Sequence, residues 1–429
     1  MERYDAIVIG AGPAGSAAAI ALAREKLKVL LVERGKTPGQ KNVFGGRIYS
    51  YPLSTLVPKW RDDCPVERMV TKDCFAFMTQ DQSLLVQFES PRLASGKAAS
   101  FTALRSKFDS WLAQKAEGAG ATLITEIRVD DLWMEGGRTK GIVAGSDRIG
   151  ADVVIAADGV VSKFTQRAGL RGEMPPQMVS VGVKETIGLP PETIQDRFGV
   201  AENEGAAYVL AGQPSGFLHG GGFIYTNKDT VSLGLVVSSE EVSANKVEVH
   251  ALQEKFKRHP TIARLLRGGK VIEYSSHMIP ELGVGTLRRP YADNFLAAGD
   301  AAGFLINNGY TFRGVDLAMA SGMAAAEAVK LAASRGDFSE VGLGAYSQIL
   351  RRENVLTDLA TFRKGSQYMA NPRLYSLYPR LLCDIIERIY TMDGGGKKRA
   401  IETVLDEIKA KDASLLAMLR DLMGGALTM

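Results

Sequence analysis

The sequence is poor in the residues that build metal centres and disulfide frameworks. Its 429 residues include three cysteines, Cys64, Cys74 and Cys383, and four histidines. The cysteines are too few and too scattered for a disulfide framework or a four-cysteine iron–sulfur site, and the histidines show no metal-ligand spacing. We therefore expect no metal ion in this chain and a reducing compartment around it.

Long uncharged runs are also scarce. Ala6–Ala23 has Ser16 as its one polar residue over 18 positions, a length close to that of a membrane span. The run contains several glycines and Pro13, and it follows Glu2 and Asp5 rather than a basic stretch. We therefore interpret it as neither a signal peptide nor a membrane helix.

Charge of one sign is not in large excess. The net charge is +4, which is compatible with an anionic partner or surface without indicating one. No basic cluster interleaves with stacking aromatic residues, so we expect no nucleic-acid partner. The sequence also offers no Ser-His-Asp set and no redox-active cysteine pair. We therefore predict no catalytic side chain and expect a cofactor to carry the chemistry.

Glycine, by contrast, is plentiful, with 46 residues, and the chain begins with a glycine-rich turn between two strands. An apolar strand over Tyr4–Ile9 runs into glycines at positions 10, 12 and 15. A helix over Ser16–Glu25 and a strand over Lys28–Val32 follow. This β-α-β pattern, with G-x-G-x-x-G at the turn, is typical of dinucleotide binding.

Each position of the glycine motif has a physical role. Gly10 allows the tight turn, Gly12 lets the backbone approach a pyrophosphate, and Gly15 lets helix and strand pack closely. The helix N-terminus attracts the phosphates. Glu33, 18 residues after Gly15, is placed to accept hydrogen bonds from a ribose hydroxyl. The alternative is a solvated acid at the end of a strand.

The rest of the chain alternates between two patterns. Helices are predicted over Phe101–Gly118, Val247–Leu266 and Gly314–Ser334, and the last eighty residues are helical in pattern. Strands are predicted over Ala121–Val129, Asp152–Gly159, Val179–Glu185, Ala206–Ala211, Gly221–Tyr225, Val231–Val237, Val271–His277 and Phe295–Ala298. The apolar strand that ends at Asp158 and Gly159 suits a buried parallel sheet, whereas the strands between residues 179 and 277 suggest an antiparallel one.

Three separated motifs together resemble FAD enzymes of the glutathione-reductase-like superfamily. They are the glycine motif with Glu33, the Ala-Ala-Asp-Gly of residues 156–159 and the Ala-Gly-Asp-Ala-Ala-Gly of residues 298–303. More narrowly, the chain looks like the p-hydroxybenzoate-hydroxylase and geranylgeranyl-reductase branch. The resemblance implies FAD as the cofactor and a discontinuous Rossmann-like FAD domain of the glutathione-reductase type.

Further runs resemble the electron-transfer-flavoprotein:quinone oxidoreductase family, which includes FixC. They are Lys-Asn-Val-Phe-Gly-Gly-Arg at residues 41–47, His-Gly-Gly-Gly-Phe-Ile-Tyr at 219–225 and Asn-Asn-Gly-Tyr-Thr-Phe-Arg-Gly-Val-Asp-Leu-Ala at 307–318. In that family a glycine pair contacts the quinone head, and the resemblance carries this role to Gly220 and Gly221.

Pattern and resemblance together predict an α/β chain in three parts. Residues 1–75, 100–175 and 280–350 form the discontinuous FAD domain. Residues 76–99 and 176–279 form an antiparallel substrate or quinone domain. Residues 351–429 form a helical C-terminal region that contacts a membrane or a partner.

Several acids and arginines gain a role from the resemblance. Asp300 bonds a ribityl hydroxyl or the flavin phosphate region, Asp158 and Gly159 face the same crevice, and Arg105 lies near the FAD phosphates. An N-cap aspartate, a plain Asp-Gly turn and a surface arginine are the respective alternatives. Arg34 either flanks the adenine or is a surface arginine.

Glycine-rich loops are predicted to lie against the flavin ring. Gly45 and Gly46 face the isoalloxazine, and Asn307 to Gly314 face its pyrimidine edge; ordinary glycine turns are the alternative. The full set of predicted FAD contacts is Gly10, Gly12, Ala14, Gly15, Glu33, Arg34, Gly45, Gly46, Arg47, Arg105, Val129, Asp158, Gly159, Gly299, Asp300, Asn307 and Gly314.

One departure from the family bears on partners. Long members carry a C-terminal iron–sulfur domain with clustered cysteines, whereas this chain has only Cys383 after residue 74. It looks like the shorter FixC-type members, which work beside a small ferredoxin-like iron–sulfur protein. The resemblance implies electrons arriving from electron-transfer flavoprotein subunits and leaving to a membrane quinone. It also implies a cytoplasmic protein, peripheral on the inner face of the membrane.

The membrane contact is expected in the second domain or the C-terminal region, where cations and apolar residues interleave. The cations are Arg373, Arg380, Arg388, Lys397, Lys398 and Arg399, and the apolar residues are Leu377, Leu381, Leu382, Ile385, Ile386, Ile389 and Tyr390. The alternative is a helical face packed on the domain, with solvated charges.

Two other functions stay open. A prenyl reductase or aromatic hydroxylase would act on its own organic substrate. Hydroxylases usually have histidine where this chain has Gly303, and a proline before the next helix, which is absent between residues 303 and 314. That weakens the hydroxylase and leaves the prenyl reductase. The remote alternative is an FAD-dependent protein that modifies nucleic acid.

Overall fold

The structure is a computed structural model that describes residues 2–40, 46–172, 175–280, 287 and 289–428. Its strands are β1 Arg3–Ile9, β2 Val29–Val32, β3 Arg47–Tyr49, β4 Arg68–Met78, β5 Ser83–Glu89, β6 Ser100–Thr102, β7 Thr122–Ile124, β8 Asp131–Glu135, β9 Arg138–Ala144, β10 Asp147–Ala156, β11 Val179–Gly188, β12 Glu204–Gly212, β13 Gly220–Thr226, β14 Thr230–Ser238, β15 Lys270–Pro280, β16 Tyr291–Ala292, β17 Phe295–Ala297, β18 Ile306–Asn307 and β19 Phe312–Arg313.

The helices of the described residues cover the faces of two sheets and make up the C-terminal region. They are α1 Pro13–Arg24, α2 Tyr51–Leu56, α3 Arg105–Gly118, α4 Lys163–Arg167, α5 Pro191–Phe198, α6 Ser239–Ala244, α7 Val249–Arg258, α8 Pro260–Leu266, α9 Val315–Arg335, α10 Glu340–Leu343, α11 Ala345–Arg352, α12 Val355–Thr361, α13 Gly365–Met369, α14 Leu377–Tyr390, α15 Ala400–Ala410 and α16 Leu415–Thr428.

The first sheet has the strand order β16-β17-β10-β1-β2-β7. Strands β17, β10, β1, β2 and β7 are parallel, and the β8–β9 hairpin pairs with the start of β10. Central strands of this sheet are apolar on both faces, because α1 and α9 pack on one side and other apolar segments on the other. The carboxyl ends of β1, β10 and β17 meet at one edge, followed by Gly10, Asp158 and Asp300.

The second sheet runs β15-β11-β14-β13-β12-β4-β6-β3, with β5 paired to β4. Its pairs are antiparallel except β4 with β12, which are parallel. One face packs on α5, α7 and α8 through residues such as Ile194, Phe256 and Ile262. The other face turns towards the first sheet and leaves a cavity between them. The predicted α/β class with a helical C-terminal region is confirmed, and the second sheet is mixed rather than purely antiparallel.

Several predicted boundaries are wrong. The first helix begins at Pro13 rather than Ser16, because proline is accommodated at the first helical position. The helix expected from Phe101 begins at Arg105, since Phe101 pairs with Ile48 on β3. The helix expected over Val247–Leu266 is broken at Pro260 into α7 and α8, as a proline has no N–H to continue it.

The two sheets share the N-terminal third of the chain in a way the sequence does not indicate. The predicted strand over Ala121–Val129 is reduced to β7. The domain boundary placed at residue 75 falls within β4, and β3, β4 and β6 all lie in the second sheet. The second sheet therefore takes strands from before and after that boundary.

The C-terminal region packs on the second sheet through α14. Leu381 and Ile385 of α14 are buried with Ile408 of α15, and Cys383 Sγ lies 3.7 Å from the carbonyl oxygen of Phe77. Several cations that interleave with these apolar residues are ion-paired, such as Arg388 with Glu407. The packed helical face was the alternative interpretation of this segment, and the structure agrees with it for α14.

Candidate active site

A cavity of about 690 Å³ lies between the two sheets, at the carboxyl ends of the parallel strands. Such strand ends are where ligands bind in α/β sheets. Thirteen of the predicted FAD contacts line this cavity: Gly10, Gly12, Ala14, Glu33, Arg34, Arg47, Arg105, Val129, Asp158, Gly159, Asp300, Asn307 and Gly314. The structure thus brings together residues from all three sequence motifs.

Five predicted contacts do not line the cavity themselves, and one lies elsewhere. Gly15, Gly46, Gly299, Gly220 and Gly221 are adjacent in sequence or space to lining residues without being among them. Gly45 lies outside the described residues, as does most of the run at 41–47.

The glycine turn after β1 is shaped for a close ligand. Gly10 has φ +100°, and a Cβ on it would lie 2.4 Å from the carbonyl oxygen of Ala157. A Cβ on Gly15 would lie 1.9 Å from the carbonyl oxygen of Gly10, so both glycines are required by backbone packing. A Cβ on Gly12 would meet no atom within 4 Å. That open space, at the N-terminus of α1, fits a pyrophosphate.

Glu33 is held by the glycine loop. Its carboxylate accepts hydrogen bonds from the N–H groups of Ala11, at 3.0 Å, and Gly35, at 2.7 Å. It is therefore a half-buried, partnered group that lines the cavity, and not a freely solvated strand-end acid. Arg34 beside it is exposed and lines the cavity as well.

Arg105 and Asp300 form a buried pair of opposite charges across the cavity. Arg105 binds Asp109 of the same helix through two hydrogen bonds of 2.7 and 2.8 Å, and its side chain is only 10% exposed. It is therefore not a surface arginine. Burial raises the pKa of Asp300, and the charge of Arg105 opposes that rise. A ligand that gives Asp300 a hydrogen-bond donor would relieve the cost of its burial.

Asp158 has a carboxyl oxygen, Oδ1, that is buried and has no hydrogen-bond partner in the described part of the chain. Burial raises the pKa of Asp158 to about 6, against the opposing effect of nearby N–H groups and Arg171. Arg171 likewise has buried Nε and Nη1 atoms without a partner among the described residues. Unpaired buried polar atoms at a cavity wall suit a ligand with hydroxyl or amide groups.

Two features of this wall were missed by the sequence. Arg47 was predicted, but its partner was not: it forms a two-pronged ion pair with Asp73 of β4 and donates to Ser100 Oγ at 3.1 Å. Tyr225 lines the cavity beside Arg47, and burial raises its pKa. A Cβ on Gly46 would lie 2.8 Å from the Tyr225 ring, so Gly46 makes room for Tyr225.

His277 is a second residue that the sequence did not single out. It lines the cavity from β15, and burial together with the charges of Arg105 and Arg34 lowers its pKa. The available signal was the alternation of Phe223 and Tyr225 on β13, which predicts a common face. No comparable local signal marks Asp73 or His277.

The segment between β18 and α9 is fixed by its own hydrogen bonds. Asn307 Oδ1 accepts from the Gly309 N–H at 3.0 Å, and Asn308 Oδ1 accepts from the Thr311 N–H at 2.9 Å. Arg313 bonds Asp316 at 2.8 Å and Asp358 at 2.5 Å. This bonding holds Asn307 and Gly314 at the cavity wall without a ligand.

One end of the cavity is apolar. It is lined by His219, Phe223, Leu305, Phe312, Leu359, Phe362 and Met369. The His219 ring lies 5.2 Å from the ring of Tyr375, centre to centre. The cavity therefore joins a polar end, at the glycine turn, to an end suited to an apolar ligand.

Gly220 and Gly221 are required by the second sheet itself. Gly220 has φ +148°, and a Cβ there would lie 2.0 Å from the carbonyl oxygen of Val236, while one on Gly221 would lie 2.7 Å from that of Leu210. Their neighbours His219 and Phe223 line the cavity. A bulky substitution at either glycine would thus disturb the β13–β14 pairing, and it does not isolate a role in ligand contact.

Two kinds of site are absent from the described residues. No three His, Cys, Asp or Glu side chains among them come together as a metal site. Within the same residues, no helix combines the length and the apolar character needed to cross a bilayer.

Comparisons with known protein families match three regions of the chain. A family described as FAD dependent oxidoreductase matches residues 5–162. One described as ETF-QO, ubiquinone-binding matches residues 179–279, which span β11 to β15. The ETF-QO/FixC family C-terminal domain matches residues 366–429.

Curated relatives match over nearly the whole chain. A probable electron transfer flavoprotein-quinone oxidoreductase, YdiS, from Escherichia coli K12 is 43% identical over 425 residues, which cover 99% of both chains. Protein FixC from Salmonella typhi is 42% identical over 99% of this chain and 98% of its own. Protein FixC from Bradyrhizobium diazoefficiens is 36% identical over 92% of both.

Solved structures share the fold at low identity. A geranylgeranyl bacteriochlorophyll reductase-like protein from Thermoplasma acidophilum has a TM-score of 0.72 and 22% identity, covering 98% of this chain and 100% of its own. The myxobacterial halogenase CndH has a TM-score of 0.63 and 20% identity, covering 96% and 90%. At these identities the likeness concerns the fold alone.

Proposed function

Because the chain belongs to the electron-transfer-flavoprotein:quinone oxidoreductase family that includes FixC, we propose that it passes electrons from an electron-transfer flavoprotein to a membrane quinone. A small ferredoxin-like iron–sulfur protein lies on this route. The enzyme is an FAD-dependent oxidoreductase. We assign its FAD domain to the glutathione-reductase type, in segments close to 1–75, 100–175 and 280–350, and place the protein at the cytoplasmic face of the membrane.

The observation that carries the proposal is the two-ended cavity. Its polar end holds the glycine turn, Glu33 and the buried acids, and its apolar end lies beneath β13, within the region matched by the ubiquinone-binding family. A flavin ring and a quinone ring placed in one cavity are close enough for electron transfer without a further carrier. FAD, when bound, supplies a redox group that takes up two electrons and returns them to an acceptor.

The polar end supplies the contacts that bind and orient the dinucleotide. The open face of Gly12 and the N-terminus of α1 hold the pyrophosphate, and Ala14 continues that turn. Glu33 accepts from the adenosine ribose, and Arg34 flanks the adenine. Asp300 and Asp158 are acceptors for hydroxyl groups of the ligand, with Arg105 providing positive charge near the phosphates.

The middle of the cavity holds the flavin ring between two fixed segments. One is the loop through Gly46 and Arg47, whose guanidinium is anchored by Asp73. The other is the segment from Asn307 to Gly314. The side chains of Phe223 and Tyr225 stack on each other, with ring centres 5.3 Å apart, and close the cavity against water. The backbone at Gly220 and Gly221, beside His219, is the proposed contact for the quinone head.

The experiment blocks the apolar end and leaves the polar end untouched. Ser366 of α13 is exposed and lines the cavity, whereas its neighbour Gln367 is exposed and does not. In Ser366→Trp we expect quinone reduction to fall at least about tenfold, because an indole occupies a space worth more than 1.4 kcal/mol of ligand contact. Gln367→Trp is the matched control and should keep its activity.

Three readouts on the same preparations separate the possible results: FAD content, flavin reduction by dithionite, and quinone turnover. FAD content and flavin reduction should not change in either variant. Undiminished quinone turnover in Ser366→Trp would remove the apolar end from the proposal. Rapid NADPH oxidation with a prenyl substrate, and none with a quinone, would instead favour a prenyl reductase.

A further inference from the structure

Helix α16 presents an apolar face that nothing in the described chain covers. Over its 14 residues, Leu415–Thr428, the exposed apolar side chains are Leu415, Leu416, Leu419, Leu422, Met423 and Leu427, with exposures from 49% to 80%. They recur every three or four residues and so share one side of the helix. A row of this size is far more than the scattered single apolar residues of an ordinary protein surface.

The opposite side of α16 is fixed to the protein. Asp421 is buried and accepts two hydrogen bonds from Arg373, at 2.6 and 2.7 Å, and one from the Tyr378 hydroxyl. The ion pair with Arg373 holds the pKa of Asp421 well below its usual range. Gly424 and Gly425 lie against the Tyr368 ring, where a Cβ on Gly425 would be 2.8 Å from Tyr368 Oη. The apolar face therefore points outwards on a helix with a defined orientation.

Helix α16 lies next to the apolar end of the cavity. The helix on which it packs is α13, which carries Tyr368 and also Ser366 and Met369 of the cavity wall. At the other end of α13, a Cβ on Gly365 would lie 3.5 Å from the carbonyl oxygen of Thr428. A surface that receives α16 is thus one helix away from the place where an apolar ligand enters.

Charge at the rim favours an anionic surface. Arg363 and Lys364 precede α13, and Arg420 lies on α16; all three are exposed, and no ion pair is found for them within the described residues. The one acid of α16, Asp421, is buried in its pair with Arg373. Exposed leucines flanked by unpaired cations are the pattern of helices that lie in the headgroup region of anionic membranes.

We propose that α16 lies in the plane of an anionic lipid bilayer, buries its leucine face among the acyl chains and so places the mouth beside α13 at the lipid surface. At about 1.5 Å per residue the helix is about 21 Å long, shorter than the hydrocarbon thickness of about 30 Å, which fits an in-plane position. The proposal deepens the proposed function, on which it rests for the identity of the ligand that enters from the lipid.

The test measures flotation of the FAD-loaded protein with vesicles of phosphatidylcholine that contain phosphatidylglycerol. The double variant Leu416→Asp/Leu422→Asp should bind at least about tenfold more weakly, because two exposed apolar anchors are lost and two negative charges added. Val341→Asp is the matched control: Val341 is 86% exposed, lies on α10, and should float like the unsubstituted protein.

A second arm tests the charges. Arg420→Gln and Lys364→Gln should each weaken binding to the anionic vesicles roughly fivefold, with little change on pure phosphatidylcholine. Reduction of a short-chain, water-soluble quinone should be unaffected in all these variants, whereas reduction of a long-chain quinone held in vesicles should fall with binding.

The outcomes distinguish the two proposals. Undiminished flotation of the double variant, or no flotation of the unsubstituted protein, would overturn the membrane role of α16, even if soluble quinone is reduced. Self-association that the double variant abolishes, without vesicle binding, would overturn it in favour of a protein interface. Flotation that depends on α16, in a protein that reduces no quinone, would support the membrane role and count against the proposed function alone.

Discussion

The protonation of single residues in the cavity is decided by burial. Asp158 follows β10, and with one oxygen unpaired its neutral form is favoured, so its pKa rises to about 6. An unfolded aspartate titrates near 4. Between about pH 4 and pH 6 the folded FAD-free protein therefore binds more protons at this site than the unfolded chain, and its stability falls as the pH rises through that window.

Asp158→Asn removes this titration. We expect the FAD-free variant to be more stable than the unsubstituted protein above about pH 6, by at most about 3 kcal/mol, and to show no such gain below about pH 4. The measurement is the free energy of unfolding by urea at several pH values. Asp147→Asn, at an exposed position of the same strand, is the control. An equal gain at every pH would show that burial of the charge is not the cause.

Pairs of helices control the shape of the dinucleotide end. Helices α1 and α9 cross where Gly322 of α9 faces Ala14 of α1, and a Cβ on Gly322 would lie 2.1 Å from the carbonyl oxygen of Ala14. Ala14 lines the cavity. The close approach of two helices thus sets the position of the turn that we propose for the pyrophosphate.

Gly322→Ala should push α9 away from α1. Overpacking of this kind costs about 1–3 kcal/mol, which outweighs the roughly 1 kcal/mol that alanine gains over glycine within a helix. We expect a lower melting temperature and faster loss of FAD on dialysis. Ser334→Ala, at an exposed position near the end of the same helix, should change neither, and a variant as stable and as flavin-rich as the unsubstituted protein would argue against a tight crossing.

At the scale of the whole molecule, two sheets enclose one cavity and the cysteines lie apart from it. Burial raises the pKa of Cys64 to about 12 and that of Cys74 to about 11, and it also raises the pKa of Cys383. Metal ligation requires the thiolate, so all three environments disfavour it. A cluster on the electron route would then belong to another chain.

We therefore predict that the purified chain contains no stoichiometric iron or acid-labile sulfide. Iron should appear only when the chain is co-purified with a small cysteine-rich protein, and should leave with that protein when the complex is separated. Elemental analysis and the visible absorption spectrum provide the measurement. One iron–sulfur cluster per isolated chain would contradict the prediction.

Much of the site could be predicted from the sequence because its signals are local. The turn at Gly10 to Gly15 and the acids Glu33 and Asp300 all follow apolar strands directly. Strand, tight turn and helix are each specified by residues a few positions apart, so their patterns can be read without the fold. The family resemblance rested on the same short runs.

Other parts required the tertiary structure because they join residues far apart in the chain. Arg47 meets Asp73 and Tyr225 only because β3, β4 and β13 share a sheet, and that sheet crosses the domain boundary placed at residue 75. The sequence by itself determined the dinucleotide turn, the strand-end acids and the helical C-terminal region. The tertiary structure decided which leucines stay in contact with solvent: it buries Leu381 of α14 and exposes Leu416 of α16. Both helices are amphipathic, and amphipathicity alone does not say which of them finds a partner surface within the chain.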